Sequence, residues 1–422
     1  MRLLHLADLH LGIENYGRID SGTGLHTRLQ DFVQSLAGLL DQAISEQFDA
    51  VLLAGDVYRT PAPNPTWQRE FAEQLRRLQE AGIPLALVVG NHDTPAAVGR
   101  ATSVDVFTAL DLPLTHIYRR PGLQTISTAA GPLQIAALPW PTRHWLLTLD
   151  DYRSLSPEEV QREIRRICAS QIQDMASQLD ASQPAVLLAH VAAAEATYSG
   201  AERTALIGND PTLLTGQLAD PRFDYVALGH VHKHQILNDH PPVVYSGSIE
   251  RVDFGEEHEQ KGGCIVDIEA GATGDSVTRD ASTRRTTVQF VSSAPRPMLT
   301  IDVDARGHDD PTACLETAIT AAEIDGAIVR IRYSVDPGAP VLDPARLRLA
   351  LEPAHVVAGL LPAIAPRERQ RRAGLHGDLS TAEALDRYLE NRPDLASHHQ
   401  PLRQLAAEIE RDLELELRGE TE

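Results

Sequence analysis

Short apolar runs alternate with amphipathic stretches along about the first 290 residues of the chain. Short apolar runs bounded by turn residues predict strands, and apolar positions at three- and four-residue spacing predict helices. The predicted strands are residues 2–6, 50–54, 85–89, 133–138, 185–189, 225–228, 243–245, 263–268 and 286–290. The predicted helices are residues 25–46, 66–81, 104–110 and 158–179. Helices separate the early strands and turns separate the later ones, which predicts an α/β fold of two packed sheets with helices outside.

A break in this pattern falls at residues 292–297, where two prolines and small polar residues predict a linker. Beyond it, residues 298–304, 314–323 and 327–333 predict a compact β-α-β unit. We therefore expect a first domain at residues 1–291, a smaller α+β domain at 298–365 and C-terminal helices within 366–422.

The C-terminal region begins with a basic run, Arg367, Arg369, Arg371 and Arg372. Two helices follow at about residues 379–391 and 400–417, and in both the apolar residues recur at helical spacing. These residues are Leu379, Ala382, Leu385 and Leu389, then Leu402, Leu405, Ala406, Ile409 and Leu413. Either both helices pack on their own chain, or they form a docking surface for the helices of a partner.

Cysteine content and hydropathy indicate the cellular compartment of the protein. The three cysteines, Cys168, Cys264 and Cys314, lie far apart and form no C-x-x-C pair. This spacing excludes a disulfide framework or zinc ribbon and fits a reducing cytoplasm. No apolar run approaches the roughly 20 residues of a membrane helix, and the N-terminus turns polar too early for a signal peptide. We expect a cytoplasmic protein with no membrane contact.

The net charge of −21 is a poor electrostatic match for DNA, because DNA binding usually draws on clustered lysine and arginine. Either the substrate is not a nucleic acid, or metal ions and a partner subunit supply the positive field.

Five short segments place metal-capable side chains directly after predicted strands. They are Asp8-Leu9-His10, Gly55-Asp56, Gly90-Asn91-His92-Asp93, His190 and Gly229-His230-Val231-His232. The carboxyl ends of strands often line one crevice, because a rigid sheet aims its loops toward the same edge. A single histidine among the 17 in the chain means little, but five such segments in order predict one shared site.

The ligand types indicate which metals this site would bind. Asp8, Asp56 and Asn91 offer oxygen atoms, and four histidines offer imidazole nitrogens: His10, His190, His230 and His232. Such a mixture without thiolates favours manganese, iron or zinc over an all-oxygen magnesium or calcium site. Seven ligands are too many for one ion that keeps a position open, and they suit two ions that share a carboxylate. We expect two divalent cations, with Mn²⁺ as the expected ion.

The five segments resemble the signature segments of the calcineurin-like metallophosphoesterase superfamily, and the resemblance covers about the first 290 residues. It implies a four-layered α/β-β/α sandwich. It also implies that Asp8, His10, Asp56 and His232 hold one ion. The second ion would be held by Asp56, Asn91, His190 and His230, which makes Asp56 the bridge.

The resemblance implies that His92 contacts the scissile phosphate and is not a ligand. We expect His92 to be the general acid for the leaving oxygen and Asp93 to be the group that orients it. The alternative for Asp93 is an N-terminal cap of a following helix.

Residues 224–233 and 244–257 are similar to the SbcD family of nuclease subunits and to its archaeal relatives. This similarity implies duplex-end exonuclease activity and single-strand or hairpin endonuclease activity in DNA repair and recombination. It further implies an SbcC-like ABC-type ATPase partner, whose coiled coil the C-terminal helices would grip. The residues at 298–365 would then form a capping domain. Nuclease subunits would dimerise through helices within residues 66–81 and 94–110.

Two departures from the family pattern occur, at Tyr58-Arg59 and at Ala189. Arg59 lies at the lip of the expected DNA entrance, where it either contacts a phosphate or is an ordinary surface residue. Two other functions stay open: a phosphodiesterase acting on cyclic or other small nucleotides, and a structural subunit that tethers DNA ends without cutting them.

Overall fold

The computed structural model of the protein describes residues 1–97, 99–142, 155–200, 211–269, 284–362, 381–390 and 398–418. The chain divides into two compact units, Met1–Leu361 and Pro362–Glu422. The basic run at residues 367–372 lies outside the described residues.

All predicted strands and helices occur in the predicted order, together with further elements. The strands are β1 (Arg2–Leu6), β2 (Ala50–Leu53), β3 (Leu85–Val88), β4 (Thr115–Tyr118), β5 (Gly122–Thr128), β6 (Gly131–Leu138), β7 (Ala185–His190), β8 (Ala192–Ala193), β9 (Thr212–Leu213), β10 (Tyr225–Gly229), β11 (Gln235–Asp239), β12 (Pro242–Tyr245), β13 (Gly262–Glu269), β14 (Arg285–Ser292), β15 (Met298–Asp304), β16 (Ile328–Ser334) and β17 (Val356–Pro362). The helices are α1 (Thr27–Ser45), α2 (Pro65–Ala81), α3 (Asp105–Ala109), α4 (Pro157–Ser177), α5 (Thr215–Leu218), α6 (Pro311–Thr320), α7 (Pro344–Ala350), α8 (Thr381–Glu390) and α9 (His399–Arg418).

Two six-stranded sheets form the body of the first unit. The first has the order β14-β13-β1-β2-β3-β4, in which β1 to β4 are parallel and β13 runs antiparallel to β1. The second has the order β11-β12-β10-β7-β6-β5, in which β12, β10, β7 and β6 are parallel. The carboxyl ends of four parallel strands therefore share one edge in each sheet.

The packing of apolar side chains defines four layers. One core cluster joins the inner faces of the sheets and includes Leu3 and Val88 of the first and Leu188 and Ala227 of the second. A second cluster packs α1 and α2 against the first sheet. A third packs α4 against the second sheet. This helix–sheet–sheet–helix arrangement confirms the expected sandwich fold.

Local sequence signals set the ends of the main helices. Asn64 accepts a hydrogen bond from the amide of Trp67 and caps α2, which begins with Pro65 and stops at Gly82, whose φ is 73°. Ser156 and Glu159 form a capping box at the start of α4. These signals account for the agreement of the predicted and observed helix bounds.

Six strands were not predicted: β4, β5, β8, β9, β11 and β17. Three of them, β4, β5 and β11, belong to the six-stranded sheets. Each lies at an edge of its sheet. Most of their side chains are only partly buried or exposed. An edge strand that needs few apolar side chains gives a weak hydrophobic signal, which explains why all three were missed.

A three-stranded sheet, β15-β16-β17, follows residues 292–297. Its strands β15 and β16 are parallel, and α6 and α7 contribute Leu315, Ile319 and Leu347 to an apolar core of its own. Helix α6 begins three residues before the predicted start, because Asp310 caps it and Pro311 opens it. This sheet belongs to the first compact unit, and the predicted division of that unit into nuclease and capping domains stays a prediction.

Helices α8 and α9 form the described part of the second unit, where Arg403 donates a hydrogen bond to Asp386. On α9 the side chains of Leu405 and Ile409 keep about half of their surface exposed. Among the described residues, no helix combines the length and the apolar character that crossing a membrane requires.

Candidate metal centre

Loops from both sheets meet at one edge of the sandwich and bring the seven predicted ligands together. Asp8 and His10 follow β1, Asp56 follows β2, and Asn91 follows β3. In the second sheet, His190 ends β7, and His230 and His232 follow β10. Because the carboxyl ends of the parallel strands share this edge, residues more than 200 positions apart become neighbours.

Imidazole nitrogens point at one another in the first part of the site. The Nε2 atoms of His10 and His232 lie 2.9 Å apart. Ligand atoms of Asp8, His10 and His232 all lie within 4.8 Å of one another. Lone pairs that converge in this way suit a cation between them.

A second cluster lies beside the first. Nε2 of His190 lies 3.4 Å from Oδ2 of Asp56 and 2.9 Å from Oδ1 of Asn91. The same Asn91 oxygen lies 3.1 Å from Nδ1 of His230. Oδ2 of Asp56 also lies 3.8 Å from Nε2 of His10. Asp56 therefore lies between the clusters, the position that a bridging carboxylate needs.

The backbone at the site adopts conformations that side chains rarely tolerate. Asp8, His10, Asp56 and His230 all have positive φ angles, between 43° and 104°. Such residues persist only where their surroundings hold them, and they concentrate at functional sites. Here both carboxylate oxygens of Asp8 accept the amide of His230 at 3.1 Å, which ties the two sheets together.

Two glycines allow the loops to approach. A Cβ atom on Gly90 would lie 2.1 Å from Oδ1 of Asp56. A Cβ atom on Gly55 would lie 2.4 Å from Nδ1 of His190, and Gly55 has a φ of 90°. Larger residues at these positions would displace the predicted ligands.

The remaining nitrogens of two histidines have fixed partners. Nδ1 of His190 lies 2.6 Å from the carbonyl oxygen of Ala54. Nδ1 of His232 lies 2.8 Å from Oε1 of Glu256. Since both partners are acceptors, each Nδ1 donates, and in the neutral imidazole that binds a cation this leaves the lone pair on Nε2. The sequence analysis missed Glu256, because a contact between two loops leaves no local signal.

Burial and mutual charge dominate the electrostatics of the site. Burial raises the pKa of Asp8 to about 6. Burial alone would lower the pKa of His190, but the charge of Asp56 and a hydrogen bond to it raise that pKa to about 9. Burial would also raise the pKa of Glu256, but the hydrogen bond from His232 and the nearby charges lower it to about 2.

The donor set fits two divalent cations. Asp8 and Asp56 are almost fully buried, and within the described part of the chain neither forms an ion pair with lysine or arginine. Buried carboxylates need a compensating positive charge. With four converging imidazoles, they form a mixed oxygen and nitrogen site that suits such ions.

His92 lies at the open side of the site. Its ring centroid is 4.8 Å from that of His10, and its amide donates to Oδ1 of Asp56 at 2.8 Å. A ring nitrogen of His92 also lies within 4.8 Å of a ring nitrogen of His10 and of a carboxylate oxygen of Asp56. The ring is exposed, so a substrate can reach it.

The hydrogen bonds of the Asp93 carboxylate go to backbone amides and a serine rather than to the His92 ring, so the expected orienting role would be indirect. Nδ1 of His92 lies 2.9 Å from the carbonyl oxygen of Arg59. The buried Asp93 carboxylate accepts from the amides of Val57, Tyr58 and Gly90 and from the Ser103 hydroxyl. Asp93 caps no helix either, since the next described helix begins at Asp105. It joins the loops after β2 and β3.

Two further side chains border the site. Trp140 lies with its ring centroid 4.7 Å from that of His230, a contact that the sequence did not reveal. The second, Arg59, has an exposed side chain, and its place at an entrance stays a prediction.

The comparisons with known proteins agree with this geometry. The model of the family described as calcineurin-like phosphoesterase matches residues 1–234. The DNA double-strand break repair protein Mre11 of Aeropyrum pernix is 28% identical over 279 residues, or 64% of this chain and 59% of that protein. This chain thus spans less than two thirds of that relative's length.

A second relative covers more of the chain. The SbcD component of the nuclease SbcCD of Rhodobacter capsulatus is 28% identical over 374 residues, or 83% of this chain and 86% of that protein. A solved dimetal phosphatase from Danio rerio is 11% identical and covers 63% of this chain and 92% of that chain. The TM-score of that comparison is 0.35.

Proposed function

Because this chain belongs to the calcineurin-like phosphoesterase family, we propose that its phosphoester hydrolysis is directed at DNA, as that of a metal-dependent nuclease subunit. The proposed activities are exonuclease action at duplex ends and endonuclease action on single strands and hairpins. The observation that carries the proposal is the convergence of seven metal-capable side chains at one edge of the sandwich. The relatives named as a DNA repair protein and a nuclease subunit favour DNA as the substrate.

The residues divide into two proposed ligand sets. Asp8, His10, Asp56 and His232 would hold one ion, and Asp56, Asn91, His190 and His230 would hold the other. Mn²⁺ is the proposed ion. Two bound cations supply a water of lowered pKa and stabilise the charge on the phosphoryl oxygens. The role of the protein is to hold the histidine nitrogens and the carboxylate oxygens in positions that converge on the ions.

His92 is the proposed general acid. Its Nδ1 donates to the Arg59 carbonyl, so the proton to be transferred is the second proton of the imidazolium form, carried on Nε2. The exposed ring can then donate this proton to the leaving sugar oxygen, a contribution of roughly 10²- to 10⁴-fold. Asp93 acts through the loop, because it holds the amides of Val57 and Tyr58 next to Arg59. It is a positioning residue in this mechanism.

The exposed Arg59 side chain is proposed to contact a DNA phosphate at the entrance. One arginine does not offset a net charge of −21, so an SbcC-like ABC-type ATPase is the proposed carrier of most DNA affinity. The half-exposed Leu405 and Ile409 of α9 support a helical docking surface for that partner. A homodimer of nuclease subunits, formed through residues 66–81 and 94–110, completes the proposed assembly in DNA repair.

The test is a cleavage assay of the purified chain with Mn²⁺ on a labelled hairpin oligonucleotide and on a cyclic nucleotide. We expect cleavage of the hairpin and its loss with a chelator. Turnover of the cyclic nucleotide alone would support a small-nucleotide phosphodiesterase instead. DNA bridging without metal-dependent cleavage would support a tethering subunit. Co-purification with candidate ATPases, followed by the assay with and without ATP, tests the partner, and light scattering tests the dimer.

A further inference from the structure

A buried carboxylate outside the seven predicted ligands fixes one of them. Glu256 is 1% exposed, and its Oε1 lies 2.8 Å from Nδ1 of His232. A neutral imidazole carries one proton, so donation from Nδ1 leaves the lone pair on Nε2. This Nε2 faces Nε2 of His10 at 2.9 Å. Glu256 therefore selects the tautomer that can bind a cation.

The second oxygen of Glu256 is held as firmly as the first. Oε2 accepts from the amide of Val252 at 2.9 Å and lies 3.0 Å from Nζ of Lys261, which is fully buried. The same Nζ donates to the carbonyl oxygen of His232 at 3.0 Å. Glu256 and Lys261 thus hold both the ring and the backbone of His232. Breaking a buried pair of this kind is costly, so the arrangement is stiff.

The neighbours of Glu256 in the chain are fixed to the three-stranded sheet. The ring of Phe254 packs with Met298 and Ile328, and the guanidinium of Arg330 lies 4.1 Å above it. Glu257 accepts the amide of Thr300 at 2.7 Å. The turn at residues 253–257 therefore contacts β15 and β16 on one side and His232 on the other.

We propose that Glu256 is a positioning residue for the metal ligand His232, and that the turn at residues 253–257 lets the three-stranded sheet set its position. The inference rests on the proposed metal site. A shift of β15 and β16 would move Glu256 relative to His232 and would weaken binding of the ion that His232 helps to hold. The ligands Asn91, His190 and His230 lie outside this connection.

Titration of the purified full-length chain with Mn²⁺, by calorimetry and electron paramagnetic resonance, tests the role of Glu256. We expect Glu256→Ala to lower the affinity for one of the two ions by about 10- to 100-fold, the usual effect of removing a group that orients a ligand. Glu256→Gln should lose less of this affinity, because the glutamine amide oxygen can still accept a hydrogen bond from Nδ1 of His232. The matched control is Glu259→Gln: Glu259 also pairs with Lys261 at 3.0 Å, whereas Nδ1 of His232 is bonded to Glu256. This control should bind both ions normally.

A second pair of variants tests the link to the sheet. Arg330→Met removes the guanidinium from Phe254 and from the Thr300 hydroxyl. We expect about a threefold to tenfold weaker affinity for the same ion, within the range of coupling through packed side chains. Arg332→Met is the control, since Arg332 lies on the same strand and pairs with the exposed Asp302. Its metal binding should equal that of the wild type.

One result would overturn the inference: Glu256→Ala and Glu256→Gln bind both ions with wild-type affinity while their melting temperature falls. Glu256 would then only stabilise the fold. Hairpin cleavage by the wild type is scored separately. A wild type that binds two ions but leaves DNA intact would refute the proposed nuclease and leave the positioning role standing.

Discussion

The carbonyl oxygen of Arg59 lies 2.9 Å from Nδ1 of His92. The contact comes from the backbone, so the orientation of the His92 ring does not depend on which side chain occupies position 59. The Asp93 carboxylate fixes the loop that carries the Arg59 carbonyl, because it accepts hydrogen bonds from the amides of Val57 and Tyr58. The unusual arginine at this position is therefore compatible with an intact proposed general acid.

Arg59→Ala should therefore separate DNA binding from chemistry. We expect the KM for DNA to rise and kcat to stay within about twofold, because the backbone contact to His92 remains. The slope of log binding constant against log salt concentration should become shallower by about 1, because one phosphate contact is lost. Arg162→Ala, which removes an exposed arginine from α4, is the control. A fall in kcat at unchanged KM would place the Arg59 side chain in the chemical step instead.

His92→Asn and Asp56→Ala should differ in what they lose. We expect His92→Asn to keep both metal ions and to lose about 10²- to 10⁴-fold in cleavage rate, because only proton donation is removed. Asp56→Ala should lose metal and cleavage together, since Asp56 lies between the two ligand clusters. Metal content and nuclease rate are measured on the same preparations. Equal metal loss in the two variants would make His92 a ligand, as its distance from His10 and Asp56 permits.

The segments that carry the predicted ligands could be identified because each has a local signal. Asp8 and Asp56 each follow an apolar strand of the sheet interior and His190 ends another, and the parallel order of those strands brings them to one edge. The hydrophobic pattern that identifies the strand thus also locates the ligand.

The contacts that orient these ligands left no such signal. Glu256 and His232 are 24 residues apart, and Trp140 reaches His230 across 90 positions. Only the folded loops bring them together. The orienting role expected of Asp93 stays a prediction. Adjacency to His92 in sequence does not show that any such role is indirect, which follows only from the hydrogen bonds of the carboxylate to the backbone of the neighbouring loop.

Gly90→Ala should displace Asp56. The new Cβ would lie 2.1 Å from Oδ1 of Asp56 and 2.5 Å from its amide nitrogen, so the loop must shift. We expect Mn²⁺ affinity to fall at least about tenfold and stability by about 1–3 kcal/mol, as in other overpacked sites. Gly38→Ala on α1 is the control, because nothing lies within 4 Å of its Cβ, and it should stabilise by up to about 1 kcal/mol. Calorimetric metal titration and urea unfolding measure both quantities. Unchanged metal affinity in Gly90→Ala would refute the close approach.

His5 should make the stability of the first unit fall in acid. The ring is fully buried between the sheets, with Nδ1 2.8 Å from the hydroxyl of Tyr225, and burial lowers the pKa of His5 from 6.5 to about 3. Above pH 6.5 the ring is neutral in both the folded and the unfolded chain. Below pH 6.5 only the unfolded chain takes up the proton, so stability declines by about 1.4 kcal/mol per pH unit until the pH approaches 3.

Urea unfolding at about pH 7.5 and pH 5.0 in chelator measures this effect without bound metal. We expect the wild type to lose about 2 kcal/mol more than His5→Gln between these conditions, because about 1.5 pH units lie below the unfolded pKa. Comparing the two losses removes the contributions of other buried histidines, which both proteins share. Equal losses would mean that His5 accepts a proton inside the folded sandwich, and its burial would then not govern the acid sensitivity of the protein.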